Sequence, residues 1–268
     1  MLESTVGKKE EIKIWQSALL SNAEIAHGFT TRAGGVSPPP FHTLNLGLTT
    51  KDLPQNVLEN RKRFANQFGF ALAPLAWQIH GNDVLVLKQE NAIPQEPNLP
   101  KADAIISNIP KLVVSMFFAD CLPIYFWDPI HHAGGIAHAG WRSTLLGISE
   151  KTVEMMQEVF GTKPDDLIVV LGPSIGPCCF EVQKDVEEPF LKRFGESVCI
   201  QKNGKTFIDL WEANKLVLKG KGVKMENVEE AKLCTSCNEN LFFSYRRDKG
   251  NTGRMAGFLQ INFFKGGD

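Results

Sequence analysis

The chain has almost no net charge. Its 29 Lys and Arg against 30 Asp and Glu leave a formal charge of −1 over 268 residues. A protein that holds nucleic acid or an anionic membrane through its bulk field needs a strong positive balance, so neither partner is expected. Long hydrophobic runs are also missing. The most apolar region, residues 112–127, is broken by Ser115, Asp120 and Pro123, well short of the roughly 18 apolar residues of a membrane span. Residues 1–15 lack the apolar stretch of a secretory signal. The six Cys are too few for a disulfide framework in a chain this long, and the adjacent Cys178 and Cys179 are poorly placed to bridge each other. A reduced, cytoplasmic protein is the expectation. Only six His are present. A full set of imidazole-ligated copper centres would exhaust them, whereas one zinc ion needs few.

What is present is ordinary globular composition, with 43% hydrophobic and 22% charged residues, enough to exclude disorder and to build a sizeable core. No repeat, low-complexity segment or convincing linker divides the chain, so residues 1–268 read as one domain. The proline-rich stretches at 37–40 and 93–100 read as loops. Helical spacing predicts helices over 56–68, closed by Gly69, and over 141–160, closed by Gly161, with two more around 185–194 and 210–218. Apolar runs predict strands at 84–87, 104–106, 112–118, 122–127, 135–139, 167–171 and 255–264, several of them buried on both faces. Strands outnumber helices and do not alternate strictly with them. That pattern favours an α+β fold, a single domain of layered mixed β-sheets and helices, over a doubly wound parallel sheet.

Three segments carry chemistry: Trp77-Gln-Ile-His80-Gly81, Phe118-Ala-Asp-Cys121-Leu-Pro123 and Ile136-Ala-His138-Ala-Gly-Trp141-Arg142. Each sets a Cys or His at the end of an apolar strand beside small or turn residues, where a rigid scaffold presents reactive groups. Singly, each also reads as a hydrogen-bonded structural His or an inert buried Cys. Together, two His and one Cys make a three-ligand set with one position open, the pattern of a catalytic zinc. Their separations are too long for a local zinc motif, so spacing alone does not establish the site. Cys234-Thr-Ser-Cys237 has three readings: half a structural zinc site, a redox pair, or two unremarkable thiols near a strand end. With no second C-x-x-C in the chain, the last is preferred.

These segments occur in order with His27-Gly-Phe-Thr-Thr-Arg-Ala-Gly-Gly35-Val-Ser37, Leu44-Asn-Leu-Gly47, Leu171-Gly-Pro-Ser-Ile-Gly176, Ser244-Tyr-Arg-Arg-Asp248 and Thr252-Gly-Arg254-Met-Ala. Over nearly its whole length the chain resembles the laccase-domain or polyphenol-oxidase family. That family is also described as YlmD/YfiH-type purine nucleoside phosphorylases and peptidoglycan editing factors. The resemblance implies a YfiH-like fold and one zinc carried by His80, Cys121 and His138. It implies phosphorolysis of adenosine, inosine and methylthioadenosine, and hydrolytic deamination of adenosine. The older laccase label implies copper, which the histidine count makes hard to accommodate.

Zinc would lower the pKa of a bound water to about 7 and so supply a nucleophile for C6 of adenine. Phosphorolysis would instead need phosphate held below the ribose, for which the planar fork of Arg is suited. Arg32, Asn45, Arg61 and Arg247 are the candidate phosphate or ribose contacts. Each also has a bland alternative: an exposed loop Arg, a turn residue, an ordinary helix-surface residue, and a partner for Asp248. Asp120 is either a ligand-orienting or proton-accepting group or a local turn cap. The H-x-E and P-C-x-x-C signature of zinc deaminases is absent, so the general acid/base is unassigned. A cysteine hydrolase or amidase acting on peptidoglycan precursors through Cys121 and a His is the main alternative, and a non-catalytic binding module is a third. A homodimer suits a chain of this size.

Overall fold

The computed structural model describes residues 11–21, 24–89 and 93–262. In chain order the first half comprises β1 (Ile14–Trp15), β2 (Ile25–Thr30), α1 (Pro54–Phe68), β3 (Val84–Leu87), β4 (Ala104–Ser107), β5 (Val113–Phe118), β6 (Leu122–Asp128), β7 (Ala133–Ala139), α2 (Trp141–Leu146) and α3 (Ile148–Phe160). The second half comprises β8 (Ile168–Leu171), β9 (Glu181–Val182), α4 (Lys184–Phe194), β10 (Cys199–Lys202), β11 (Lys205–Ile208), α5 (Leu210–Gly220), β12 (Val228–Glu230) and β13 (Met255–Ile261).

The strands form three sheets. A mixed six-stranded sheet runs in the order β12-β8-β6-β7-β4-β3, with its two outer pairs parallel and the rest antiparallel. An antiparallel four-stranded sheet runs β1-β2-β13-β5, and a small antiparallel sheet runs β10-β11-β9. Strands β6 and β7 are buried at every position, as their unbroken apolar sequences predict, because both faces of their sheet are covered. The strand pleat divides their side chains between two cores. Ile124, Phe126, Ala137 and Ala139 pack with Ile148, Val153 and Met156 of α3, Phe190 of α4 and Leu210 and Leu218 of α5. Tyr125, Trp127 and Ile136 turn the other way, onto Phe29, Met116, Phe118, Met255 and Leu259 of the four-stranded sheet. Helix α1 covers that sheet's outer face, where Phe64 meets Phe258 with ring centroids 5.4 Å apart. The result is four layers: α1, the four-stranded sheet, the six-stranded sheet, and α3 to α5. This is the layered α+β architecture expected from the strand-rich pattern.

Two expectations change. The helix expected over 141–160 is two helices, divided at Gly147. Its φ of 83° is left-handed, and its N–H closes α2 on Ser143 O and Thr144 O. Because α3 starts at the next residue, the apolar spacing continues across the break. The short strands β1, β2 and β9 to β12 lie outside the expected strand segments. The β10–β11 hairpin turns through Asn203-Gly204, with Lys202 opposite Lys205, a two-residue turn signal present in the sequence. The last strand ends at Ile261; residues 263 and 264 of its expected span lie outside the described residues.

Adjacent strands β6, β7 and β4 position the chemistry. Leu122 pairs with Ala139 and Ala104 with Ala137. This register places Cys121, His138 and Asp103 at one end of the sheet. The two large sheets are also joined by a buried strut, in which Tyr125 Oη on β6 donates to Gly28 O on β2 at 2.8 Å. Tyr125→Phe removes the donor and leaves that carbonyl unsatisfied, so a loss of about 1–2 kcal/mol is expected in urea denaturation. Unchanged stability would show that the strut contributes nothing.

Candidate active site

The site is organised around Asp103, which is fully buried at the start of β4. Its carboxylate accepts hydrogen bonds from the N–H groups of Ile79 (3.1 Å), His80 (3.0 Å) and Gly81 (2.7 Å). It also binds His138 Nδ1 at 2.8 Å, and its carbonyl accepts the His138 N–H at 2.7 Å. His80 has a left-handed φ of 60°, a conformation that persists in a non-glycine residue only when its surroundings hold it there. The three N–H bonds to Asp103 do so. With Nδ1 of His138 committed to the carboxylate, Nε2 is left to face the other ligands, the arrangement by which a carboxylate orients a metal-binding His.

The ligand atoms of His80, Cys121 and His138 lie within 4.8 Å of one another, with Cys121 Sγ 3.8 Å from His80 Nε2. Gly140 makes room for them. A Cβ there would lie 3.0 Å from Cys121 Sγ and 3.0 Å from His80 Cδ2. Two imidazole nitrogens and a thiolate, with His80 exposed and Cys121 half-buried, fit zinc with an open fourth position.

The same groups are electrostatically linked without a cation. Burial opposes ionisation of Cys121, but the charge and hydrogen bond of His138, and then those of His80, bring its thiol down to about 6. Burial likewise opposes the charging of His138, yet Cys121 and Asp103 raise it to about 9. The lowered thiol and the raised imidazole both favour a thiolate–imidazolium pair in the metal-free protein.

Asp120, the residue before Cys121, is a structural clamp. It is buried, with a left-handed φ of 85°. Its carboxylate takes hydrogen bonds from Thr235 Oγ1 (2.6 Å), Ser244 Oγ (3.0 Å) and Arg246 N (2.7 Å), and its carbonyl from Ile175 N (2.9 Å). Its left-handed turn and these bonds fix the start of β6 against the C-terminal motif.

The three ligands open into a cavity of about 550 Å³. Arg61, Arg142, Arg246 and Arg254 line it together with Trp77, Gln78, Phe117 and Tyr245. Arg61 donates through Nε and Nη2 to Leu46 O and lies over the Phe117 ring. Arg254 donates to Thr252 O and Gly253 O. Among the described residues neither makes an ion pair within 4 Å, although Glu96 on the rim attracts Arg61 at longer range. Two half-buried guanidinium groups, satisfied mainly by carbonyls, favour an anion from solvent.

Of the four substrate contacts suggested by the sequence, Arg61 alone lines this cavity. Arg32 and Arg247 line a separate surface cleft. Arg247 grips Asp248 through both Nε and Nη2 and bonds the carbonyls of Thr235 and Phe242. Arg32 bonds His42 O and Glu239 O and covers the Phe243 ring. Asn45 is fully buried. Its Oδ1 accepts the N–H groups of Gly47 and Arg254, so it holds two residues of the cavity wall in place. Sequence reasoning missed Asp103, Arg246 and Arg254. The last two stand in the C-terminal motif, while Asp103 has only its place ahead of an apolar strand as a signal.

The fold and site define an α+β protein with a candidate three-ligand metal site at the end of its central sheet. Residues 26–262 match the family model described as multi-copper polyphenol oxidoreductase laccase, and the chain belongs to that family. It is 39% identical over 236 residues to the purine nucleoside phosphorylase YfiH of Escherichia coli, covering 87% of this chain and 92% of that protein. It is 35% identical over 258 residues to the purine nucleoside phosphorylase YlmD of Bacillus subtilis, covering 92% of each. The crystal structure of the Bacillus licheniformis hypothetical protein YfiH superposes with a TM-score of 0.83 at 36% identity, covering 89% of this chain and 93% of that one.

The thiolate–imidazolium pair yields a direct test. In metal-free protein, alkylation of Cys121 by iodoacetamide, followed by peptide mass mapping, should rise with pH through a midpoint near 6. In His138→Gln the midpoint should move up toward the ordinary thiol range, because the imidazolium that holds the thiolate is gone. A wild-type midpoint in that ordinary range would refute the pairing.

Proposed function

We propose that this protein is a zinc-dependent purine nucleoside phosphorylase that works in the cytoplasm. It would cleave adenosine, inosine and methylthioadenosine with phosphate and also deaminate adenosine hydrolytically. The observation that carries the reading is the junction of two features in one cavity. The His80–Cys121–His138 set stands beside the guanidinium groups of Arg61 and Arg254, which among the described residues have no carboxylate partner within 4 Å, between aromatic surfaces suited to a purine. The names of the E. coli and B. subtilis relatives support the phosphorylase part of this reading.

His80 Nε2, Cys121 Sγ and His138 Nε2 would hold the zinc, and Asp103 fixes two of them. When bound, zinc supplies a Lewis acid that polarises a substrate heteroatom or acidifies a water. The protein's own groups do the rest. Arg61 and Arg254 bind the phosphate oxygens and offset their charge. Phe117 and Trp77 offer apolar faces to the base and exclude water from around it. In phosphorolysis a phosphate oxygen forms a bond to C1′ of the ribose, while the bond to the purine nitrogen breaks and the base leaves with its electron pair. The cavity's positive field stabilises that negative charge as it develops. The donor set also bears on the metal. Among the described residues, one cluster contains imidazoles and it contains two, which suits one zinc and not a multinuclear copper centre.

A second reading rests on the Asp103–His138–Cys121 chain, which matches the order of acid, base and nucleophile in a cysteine hydrolase or amidase. Its substrate would be an amide-bearing peptidoglycan precursor. The requirement for metal separates the two.

With adenosine as substrate, release of adenine should depend on phosphate, cease after chelation and return with zinc. Turnover of an amide substrate by metal-free protein, without phosphorolysis by the zinc-loaded form, would overturn the proposal. Arg61→Ala should raise the KM for phosphate about tenfold or more, the loss of one charge-assisted contact, with a smaller effect on deamination. Equal loss of both activities would remove Arg61 from the phosphate site.

A further inference from the structure

A second cysteine cluster lies outside the site just described. Cys178 and Cys179 sit side by side in the turn after β8, and Cys234 and Cys237 lie in the turn between β12 and β13. In the sequence the two pairs are far apart and only one is a C-x-x-C. The fold brings them together. An isolated parallel bridge joins Ser174 to Cys234, with Ser174 N donating to Leu233 O at 3.2 Å and Thr235 N to Ser174 O at 2.9 Å. All four Sγ atoms lie within 4.8 Å of one another. Cys237 Sγ is 3.5 Å from Cys178 Sγ and 3.4 Å from Cys179 Sγ.

We propose that Cys178, Cys179, Cys234 and Cys237 form a structural zinc site, distinct from the centre at His80, Cys121 and His138.

The distances support a shared cation. Four sulfurs at tetrahedral corners about 2.3 Å from zinc are about 3.8 Å apart, close to the separations here. A disulfide requires about 2.05 Å and uses two sulfurs, not four. The backbone is arranged for a thiolate as well. Gly176 N–H points at Cys234 Sγ at 3.3 Å, an N–H···S bond that offsets negative charge on sulfur. Both turns are fixed locally: Cys179 N donates to Gly176 O at 2.9 Å, while Asn238 donates to Cys234 O through its backbone N at 3.1 Å and through Nδ2 at 2.8 Å. Four thiolates leave no coordination position open, which marks a structural and not a catalytic zinc. Soft sulfur ligands in tetrahedral array select zinc over hard cations. Zinc would displace the thiol protons to solvent and form four zinc–sulfur bonds, with no change of oxidation state.

The location gives the cation a task. Cys178 and Cys179 lie between Ile175 and Phe180, which both line the cavity. Cys234 precedes Thr235, whose hydroxyl bonds the Asp120 carboxylate beside Cys121. A zinc ion here would tie the 175–180 wall to the 234–237 turn and, through Asp120, brace the ligand strand of the first centre.

The test is zinc content under reducing conditions, by elemental mass spectrometry on the purified 268-residue chain. Wild type should hold about two zinc ions, one in each ligand set. Cys121→Ser should keep one, Cys237→Ser should keep one, and the double variant should keep almost none. Cobalt(II) offered to metal-free Cys121→Ser should give intense thiolate charge-transfer absorption, which Cys178→Ala should lose in the same background. Circular dichroism establishes that each variant is folded. If a variant fails to fold, cobalt titration of the wild type decides, because five thiolate ligands give a band several-fold stronger than Cys121 alone. One zinc in the wild type and none in Cys121→Ser would overturn the proposal. So would two zinc ions in a folded Cys237→Ser protein, or a wild-type cobalt band no larger than one thiolate provides. None of these outcomes depends on whether the first centre acts on nucleosides.

Discussion

The Asp103 carboxylate is the constraint on which the site depends. Burying a carboxylate is costly unless its charge is met by hydrogen bonds. Here four donors meet it: three consecutive backbone N–H groups from residues 79–81 and the imidazole of His138. The bonds work in both directions. They stabilise the buried charge, and they hold a loop whose central residue, His80, would otherwise leave its left-handed conformation. Burial pushes Asp103 toward neutrality, while His138 and the Gly81 and Ile79 N–H groups more than offset this and hold its carboxyl below the usual range. One side chain thus sets the position of His80, the orientation of His138 and the charge state of the pair formed with Cys121.

The sheet makes this possible at low conformational cost. Asp103, Cys121 and His138 stand at the same end of three neighbouring strands, in register through Ala104–Ala137 and Leu122–Ala139. Their backbone positions are set by ladder hydrogen bonds and two hydrophobic cores, and only His80 arrives from a loop. A site with most of its parts on rigid strands needs few extra contacts to stay organised. The contacts it does have converge on two carboxylates, Asp103 below the ligands and Asp120 beside Cys121.

Much of this was legible in the sequence, and the limits have physical reasons. Strands β4 and β6 to β8 are apolar because both faces of their sheet are covered, and that pattern is local. Cys121 and His138 are marked by their places beside the ends of such strands, whereas His80 stands in a segment that folds as a loop. Strand order was not legible, since pairing is decided by packing between distant segments. The arginines show the same boundary. Arg32, Arg61 and Arg247 are alike as residue types, but the fold turns Arg61 toward the cavity and ties Arg247 to Asp248. Asn45 was singled out, and it proves to hold Gly47 and Arg254 from behind the wall. The single C-x-x-C has no companion nearby in the sequence, because Cys178 and Cys179 approach it only through the tertiary fold.

The two cysteine environments differ in a way that separates their roles. Cys121 faces two imidazoles, that of His138 favoured in its charged form, and an open cavity, which favours a reactive, exchangeable ligand. The four remaining clustered cysteines face one another and a backbone N–H, with no imidazole or carboxylate among the group. Thiols gathered this closely without a cation would repel as they ionise, and without ionising they contribute little to packing at an exposed turn. As neutral thiols, Cys178 and Cys179 stand within S–H···S reach of Cys237; once ionised they would repel unless a thiophilic cation lay between them. Asp120 links the two regions, since its carboxylate holds Thr235 on one side while its own backbone leads into Cys121 on the other. Order imposed at the second cluster would pass to the first through that single buried side chain.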